Sequence, residues 1–302
     1  MPTASYTESR CQSQSQSRER AEWGRLSDVC CVSAGNRSRR SPAAVRSVPG
    51  WQPHFVGGDA QAASYAEIPQ HAAHVLIAVP DDAIADVARV LAGAGMRRGI
   101  ALHTSGARGP EALAALAAAG VACGMLHPLE TVANPEEGVR VLPGVAFAID
   151  GAHEATAWAE RLVALLDGLA LHVPAASRPL YHAAAVMASN YVTALMSTAV
   201  MLMREAGVEE STAWRALEPL ARISVENALH LGPAAALTGP IARGDANTVR
   251  GHLSALAKAP AVVESLYRAA GLATLEIARQ RGLAEVQAGA IQELLRKGER
   301  RD

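Results

Sequence analysis

Cysteine, lysine and net charge are all scarce in this chain of 302 residues. Its four cysteines, Cys11, Cys30, Cys31 and Cys123, show no spacing suited to a metal or a redox pair, so neither a disulfide framework nor a zinc module is expected. A formal charge of -1 removes the electrostatic case for nucleic acid as a partner, since phosphate binding shows as a basic face. No charged-then-apolar leader with a small-residue cleavage site opens the chain, which makes the cytoplasm the expected location. Lysine supplies two of the 28 basic residues, consistent with a GC-rich coding sequence. What is abundant is apolar: half of the residues are hydrophobic, and the length suffices for two domains with a sizeable core.

Charge is unevenly placed. Residues 1 to 50 carry eight Arg and four acids, a balance of +4 that leaves -5 for the remainder. Residues 1–55 are rich in Ser, Gln and Arg without helical or strand periodicity, and are expected to be disordered or aberrant. The pattern then changes. His74 to Pro80, Ile100 to Ser105 and Val121 to His127 read as strands, with helices at about 81–94 and 110–119 between them. Val145 to Ile149, a helix over 154–169 and a short strand at Leu171 to Val173 follow, and the alternation predicts a parallel sheet. From Arg178 onward every segment reads as helix, over about 178–206, 209–231, 245–258, 260–282 and 284–298. The expected domains are therefore 56–174, α/β, and 175–302, all helical.

Residues 183–203 carry no charge and are long enough to cross a bilayer. Ser189, Asn190, Thr193, Ser197 and Thr198 within them favour a buried central helix of a soluble domain, with no membrane partner. That helix also places His182 and Asn190 eight positions apart, two turns along one face, where both could hydrogen-bond one bound molecule. A second polar cluster, Thr238-Gly239-Pro240-Ile241-Ala242-Arg243-Gly244-Asp245, sits in a turn between helices and suits a ligand-facing loop. In doubly wound sheets ligands bind outside the carboxyl ends of the strands. Here those ends are Val79-Pro80-Asp81, His103-Thr104-Ser105-Gly106 and His127-Pro128. His103, His127 and His252 show no paired ligand spacing, so no metal is expected.

The runs VPDDAI (79–84), HTSG (103–106), LHPLET (126–131), YHAAAVMASNY (181–191), LTGPIARGD (237–245) and His252-Leu253 resemble those of the Rossmann-like and DUF2520 domain family, over about residues 70 to 285. That family is similar to ketopantoate reductases, pyrroline-5-carboxylate reductases and β-hydroxyacid dehydrogenases. The resemblance implies a dinucleotide-binding domain for NADP or NAD, a helical C-terminal domain of the 6-phosphogluconate dehydrogenase C-terminal-like type that forms a homodimer, and a substrate cleft between the two. His182 stands at the position of the lysine in the ketopantoate reductase helix and Asn190 at a later asparagine, while Val186 replaces the middle one. The Gly-x-Gly-x-x-Gly turn that opens such domains is missing before residue 74, so the sheet is expected to lack its first βαβ unit. Gly93, Gly95 and Gly99 have the wrong spacing and follow a helix.

For such a protein the expected reaction is hydride transfer from the nicotinamide to a small carbonyl or imine. His182 would donate a hydrogen bond or a proton, and Asn190 would orient the substrate or the imidazole. Arg243 would clamp a substrate carboxylate, with Thr238, Asp245 and His252 beside it, although Asp245 also suits a helix cap. Val79, Pro80, Asp81, His103, Thr104, Ser105, Gly106, His127 and Pro128 would line the cofactor. The alternative is a catalytically impaired or non-catalytic metabolite-binding or interaction protein, which the missing glycine turn favours.

Overall fold

The computed structural model describes residues 29–33, 64–132 and 135–296. The rest of the segment expected to be disordered or aberrant, residues 1–28 and 34–55, lies outside the described residues. Two compact units divide the chain, Met1–Ser189 and Asn190–Asp302.

In the first unit six strands stand in sequence order: β1 (Val29–Ser33), β2 (His74–Ala78), β3 (Ile100–His103), β4 (Ala122–Pro128), β5 (Ala146–Gly151) and β6 (Leu169–His172). The helices are α1 (Ile68–His71), α2 (Ile84–Gly93), α3 (Ala114–Ala118), α4 (Pro135–Val141), α5 (His153–Leu165) and α6 (Arg178–Ala188), with a 3-10 turn at Pro110–Leu113 opening α3. Two of these elements depart from expectation. Val29–Ser33 forms a strand inside the segment expected to lack one, parallel to β2 with Cys31 opposite Leu76. The sheet is also mixed: β4 and β5 are antiparallel, with Pro128 opposite Phe147, because the chain leaving β4 turns back beside the strand end it has just left. β5 and β6 run parallel to each other.

Burial sorts the strand residues by face, as the period of two requires. Val75, Ile77, Ala101 and Cys123 join Ile84, Val87, Leu91, Leu113 and Leu116 of α2, the 3-10 turn and α3 in one core. On the opposite face Leu102, Leu126, Phe147 and Ile149 pack under Ala155, Trp158, Ala159 and Val163 of α5. Two apolar layers of this kind are what hold a sheet between helices. Burial also pushes the Cys123 thiol up to about 11, so it stays protonated as a small core side chain.

Among the described residues the second unit is built of helices: α7 (Asn190–Glu205), α8 (Glu210–Leu231), α9 (Pro233–Ala236), α10 (Ala246–Leu256), α11 (Ala261–Gln280) and α12 (Glu285–Arg296). Its core is Ile241, Val249, Leu253, Leu275, Ala278, Ala288, Ile291 and Leu295, gathered from α10, α11, α12 and the turn before α10. Arg268 of α11 closes the end of α12 by donating to the carbonyls of Leu294 and Leu295 at 2.6 and 3.1 Å while ion-paired to Glu264. Cationic side chains suit the carbonyl-rich end of a helix.

The stretch expected to be a buried central helix is neither continuous nor buried. Its backbone leaves helical geometry at Ser189 (φ -121°, ψ -73°), whose hydroxyl donates to the Ala185 carbonyl at 2.8 Å. Such back-bonding to the preceding turn weakens a helix. Arg178 in α6 and Val200 in α7 are the buried residues of the two pieces, while Leu180, Met187, Tyr191, Val192 and Leu195 along them are exposed. By length and composition 175–205 is the one stretch among the described residues that could cross a membrane.

Candidate functional site

Register places the polar groups of the first unit. His103 lies opposite Met125 and Met125 opposite Asp150, so His103, Met125 and Asp150, with His127 two residues along β4, share the face of the sheet that also carries Ala101 and Cys123. His103 is fully buried. Its Nδ1 accepts from the Ser105 amide at 3.2 Å, which leaves the proton on Nε2 to donate to the Gly109 carbonyl at 2.9 Å. Burial pushes its pKa down, in keeping with a neutral ring. Ser105 Oγ in turn accepts from the amides of Ala107 and Arg108 at 3.2 and 3.1 Å. His103 and Ser105 therefore staple the loop after β3 from within.

The other strand-end candidates divide by exposure. Gly106 is buried, Thr104, Val79, His127 and Pro128 are half-buried, and Pro80 and Asp81 are exposed in the turn that precedes α2. Gly106 has a packing reason to be glycine: a Cβ there would lie 2.6 Å from Cε1 and Nε2 of His127. Gly106→Ala is expected to displace the His127 ring and cost about 1–3 kcal/mol, as overpacking of a close contact does. Thermal unfolding of the variant, with the shift of the His127 ring resonances, measures both effects.

His127 is the centre of a cluster. Its Nδ1 lies 2.8 Å from the Tyr181 hydroxyl, and its ring meets those of Tyr181 and His182 edge-on at 5.8 and 6.2 Å. Burial, then the neighbouring His182, hold its pKa down at about 4, against the opposing pull of Asp81. Burial also raises the Tyr181 phenol. Nδ1 of His182 is buried with no hydrogen-bond partner.

These depressed pKa values carry a stability consequence. Unfolded, His127 takes up its proton near the ordinary value of 6.5; folded, it does so only near 4. The unfolded chain thus binds more protons between those limits, so stability is complete above about pH 6.5 and is lost as the pH falls toward 4. His103 acts in the same sense. Urea midpoints are expected to be lower at pH 5 than at pH 7.5, and His127→Gln should flatten the slope.

α6 is fixed to the sheet by Arg178, whose side chain is 7% exposed. Nη2 pairs with Asp150 Oδ2 at 2.5 Å and Nη1 with Glu111 Oε1 at 3.4 Å, and Glu111 also accepts from the Gly109 amide at 3.0 Å. A Cβ on Gly109 would fall on the guanidinium. Arg178 is thus an internal tie. It also explains why α6 belongs to the first unit, beyond the boundary expected at residue 174. Neither Tyr181 nor the Arg178, Asp150 and Glu111 cluster was anticipated. Their partners lie 54, 28 and 67 residues away in sequence, with no local signal.

In the second unit Asn190 is the first residue of α7 and exposed. The break at Ser189 removes the continuous helix that would have set it two turns from His182 on one face. Thr238 and Arg243 are exposed in the turn before α10. Asp245 is the N-cap of α10, accepting from the Thr248 amide at 3.0 Å and its hydroxyl at 2.6 Å. His252 is exposed and shares a 2.8 Å hydrogen bond with Tyr267 of α11. Among the described residues no group of three His, Cys, Asp or Glu is placed to hold a metal.

The half-open strand ends and the unpartnered His182 Nδ1 fit the nicotinamide end of a dinucleotide, which needs peptide groups and neutral donors. Among the described residues no glycine-rich turn leads from a strand into a helix to take the pyrophosphate.

Residues 57–128 match the Rossmann-like domain family, and residues 145–274 match the domain of unknown function DUF2520. The chain thus carries a segment that matches the Rossmann-like family followed by one that matches DUF2520, in the order the resemblance implied. No curated protein sequence matches it significantly. Its fold is similar to that of a protein from Thermotoga maritima (22% identity, 68% of this chain and 78% of that one, TM-score 0.57). It is also similar to a candidate NADP oxidoreductase from Bacteroides fragilis (20% identity, 74% and 76%, TM-score 0.52). Pyrroline carboxylate reductase from Plasmodium falciparum, solved with NADP bound, is a further neighbour (12% identity, 78% and 85%, TM-score 0.50). At these identities the likeness concerns the fold.

Proposed function

We propose that this chain is an NADP- or NAD-dependent reductase of a small carbonyl or imine compound. The observation that carries the reading is the buried, unpartnered Nδ1 of His182 beside a neutral His127, at the carboxyl ends of β3 and β4 in a Rossmann-like domain. A buried polar atom without a partner costs about 1–3 kcal/mol, a penalty that a ligand atom would relieve. Val79, Pro80, Asp81, Thr104 and Pro128 would hold the nicotinamide end through side chains and peptide groups. A bound dinucleotide would supply the hydride for the substrate carbon. His182 gives the hydrogen bond or proton that the substrate oxygen or nitrogen needs as charge develops on it.

The apolar side chains of Leu195, Leu220, Ile223, Val225, Leu229 and Leu231 are exposed on α7 and α8, an area that a second copy of the chain would cover in a homodimer.

The reading is tested by titrating the full chain with NADPH and NADH, followed by nicotinamide fluorescence and heat, with sedimentation to report the dimer. Saturable binding at micromolar concentration, about -8 kcal/mol, is expected. No binding at millimolar cofactor by the folded chain would instead favour a non-catalytic metabolite-binding or interaction protein. The specific observation on that side is that no glycine-rich turn leads from a strand into a helix among the described residues.

A further inference from the structure

The reductase reading leaves Tyr181, the hydrogen-bonded partner of His127, without a role. Each carries one proton at neutral pH, and two arrangements are open: the phenol donates to Nδ1, or Nδ1 donates to the phenol. No other hydrogen bond is formed by the Tyr181 hydroxyl among the described residues, so its hydrogen has Nδ1 as its available acceptor, at 2.8 Å. A phenol is the better donor of the two and an imidazole nitrogen the better acceptor. That places the His127 proton on Nε2. The Nε2 edge lies over Gly106, where the missing Cβ leaves it room, and it too has no partner among the described residues.

We propose that Tyr181 is a positioning residue that locks His127 with its proton on Nε2, so that His127 meets a substrate oxygen as a neutral hydrogen-bond donor and not as a proton carrier. The substrate class follows from the reductase reading, on which that half of the proposal rests. The tautomer does not depend on it. His182 from α6 meets the ring edge-on, while His103 from β3 and the Asp81 carboxylate act on it electrostatically. Tyr181 is the remaining titratable neighbour. Burial first, then the neighbouring His182, oppose a positive charge there, in agreement with a pKa held down at about 4. A neutral imidazole cannot give up a proton readily, yet it polarises a carbonyl as negative charge grows on the oxygen, which is the role of a fixed dipole in a dry site. The two histidines then divide the work: His127 polarises, and the proton falls to His182.

The experiment is nitrogen NMR of the full chain labelled in its histidines, with the His127 signals assigned by loss in His127→Gln. The expected result is an unprotonated Nδ1 and a protonated Nε2 from pH 7.5 down to 5. In Tyr181→Phe the signals should move toward a mixture of tautomers, and kcat should fall about tenfold at unchanged KM, a modest share of the loss caused by removing such a donor outright. A protonated Nδ1 in the unaltered chain, or a tautomer unmoved in Tyr181→Phe, would overturn the proposal. The measurement on the unaltered chain decides the matter even where the variant does not fold. Because the tautomer is read without cofactor or substrate, a failed cofactor titration leaves it standing, and a wrong tautomer leaves the reductase reading standing.

Discussion

Asp150→Ala is expected to destabilise the first unit by about 3 kcal/mol, the cost of leaving a buried cation without its partner. The size follows from unequal burial within one cluster. The Arg178 side chain is 7% exposed, Asp150 32% and Glu111 71%, so Asp150 is the partner that shares the guanidinium's enclosure. Glu111, largely in water and 3.4 Å away, compensates little, and Glu111→Gln should cost under about 1 kcal/mol. Asp150 also accepts from the Gly151 amide at 2.8 Å, so its loss frees a second donor. Arg178→Met removes the charge itself and leaves two carboxylates with access to solvent. It should therefore cost less than Asp150→Ala, and the double variant should be more stable than Asp150→Ala alone. Urea midpoints for the four proteins close the cycle. Equal losses from the two acidic substitutions would remove the buried-pair account. The first turn of α6 hangs on this tie, and Tyr181 and His182 lie one turn beyond it, so the variant should also disturb the His127 signals.

Legibility in the sequence followed the range of the interaction. Local periodicity was enough for β2, β3 and β4 and for α8, α10, α11 and α12 of the second unit, whose observed ends fall within a few residues of those expected. The cap of α10 was readable too, because Asp245 and Thr248 stand three apart. β1 was not, since five residues between Ser- and Arg-rich flanks carry too short a pattern and depend on β2 for their pairing. The direction of β5 was hidden for a different reason. Strand alternation cannot say whether a connection crosses the sheet or returns at the same end, and α4, the element within that connection, was not foreseen. At the site, a polar residue after an apolar run looks the same whether it faces solvent or is turned inward. His103 and Ser105 are turned inward because Gly109 and the amides of residues 107 and 108 offer partners a few positions on. The Tyr181 hydroxyl meets His127 from 54 residues away, a pairing that only the placement of α6 on the sheet creates.

His182→Ala is expected to lower turnover of an NADPH-dependent carbonyl or imine reduction by about 10²–10⁴-fold while leaving the fold nearly as stable as before. The two halves of that expectation come from the same atom. Nδ1 of His182 is buried and makes no hydrogen bond, so deleting the ring forfeits no polar contact at Nδ1 and even removes an unmet one. What is lost is edge-on packing against His127 at 6.2 Å, worth on the order of 1 kcal/mol. The rate should suffer because the charge that grows on the substrate oxygen or nitrogen as hydride arrives has lost the group placed to answer it. His182→Gln separates the two services an imidazole can offer, since an amide donates a hydrogen bond but does not hand over a proton. Partial activity in Gln with none in Ala would assign hydrogen bonding as the larger contribution; equal loss in both would assign the proton. Cofactor affinity, measured by the same titration, should be unchanged in either variant, which distinguishes a failure of chemistry from a failure of binding. Full turnover in His182→Ala would remove His182 from the site and leave its unpartnered nitrogen as a flaw in packing.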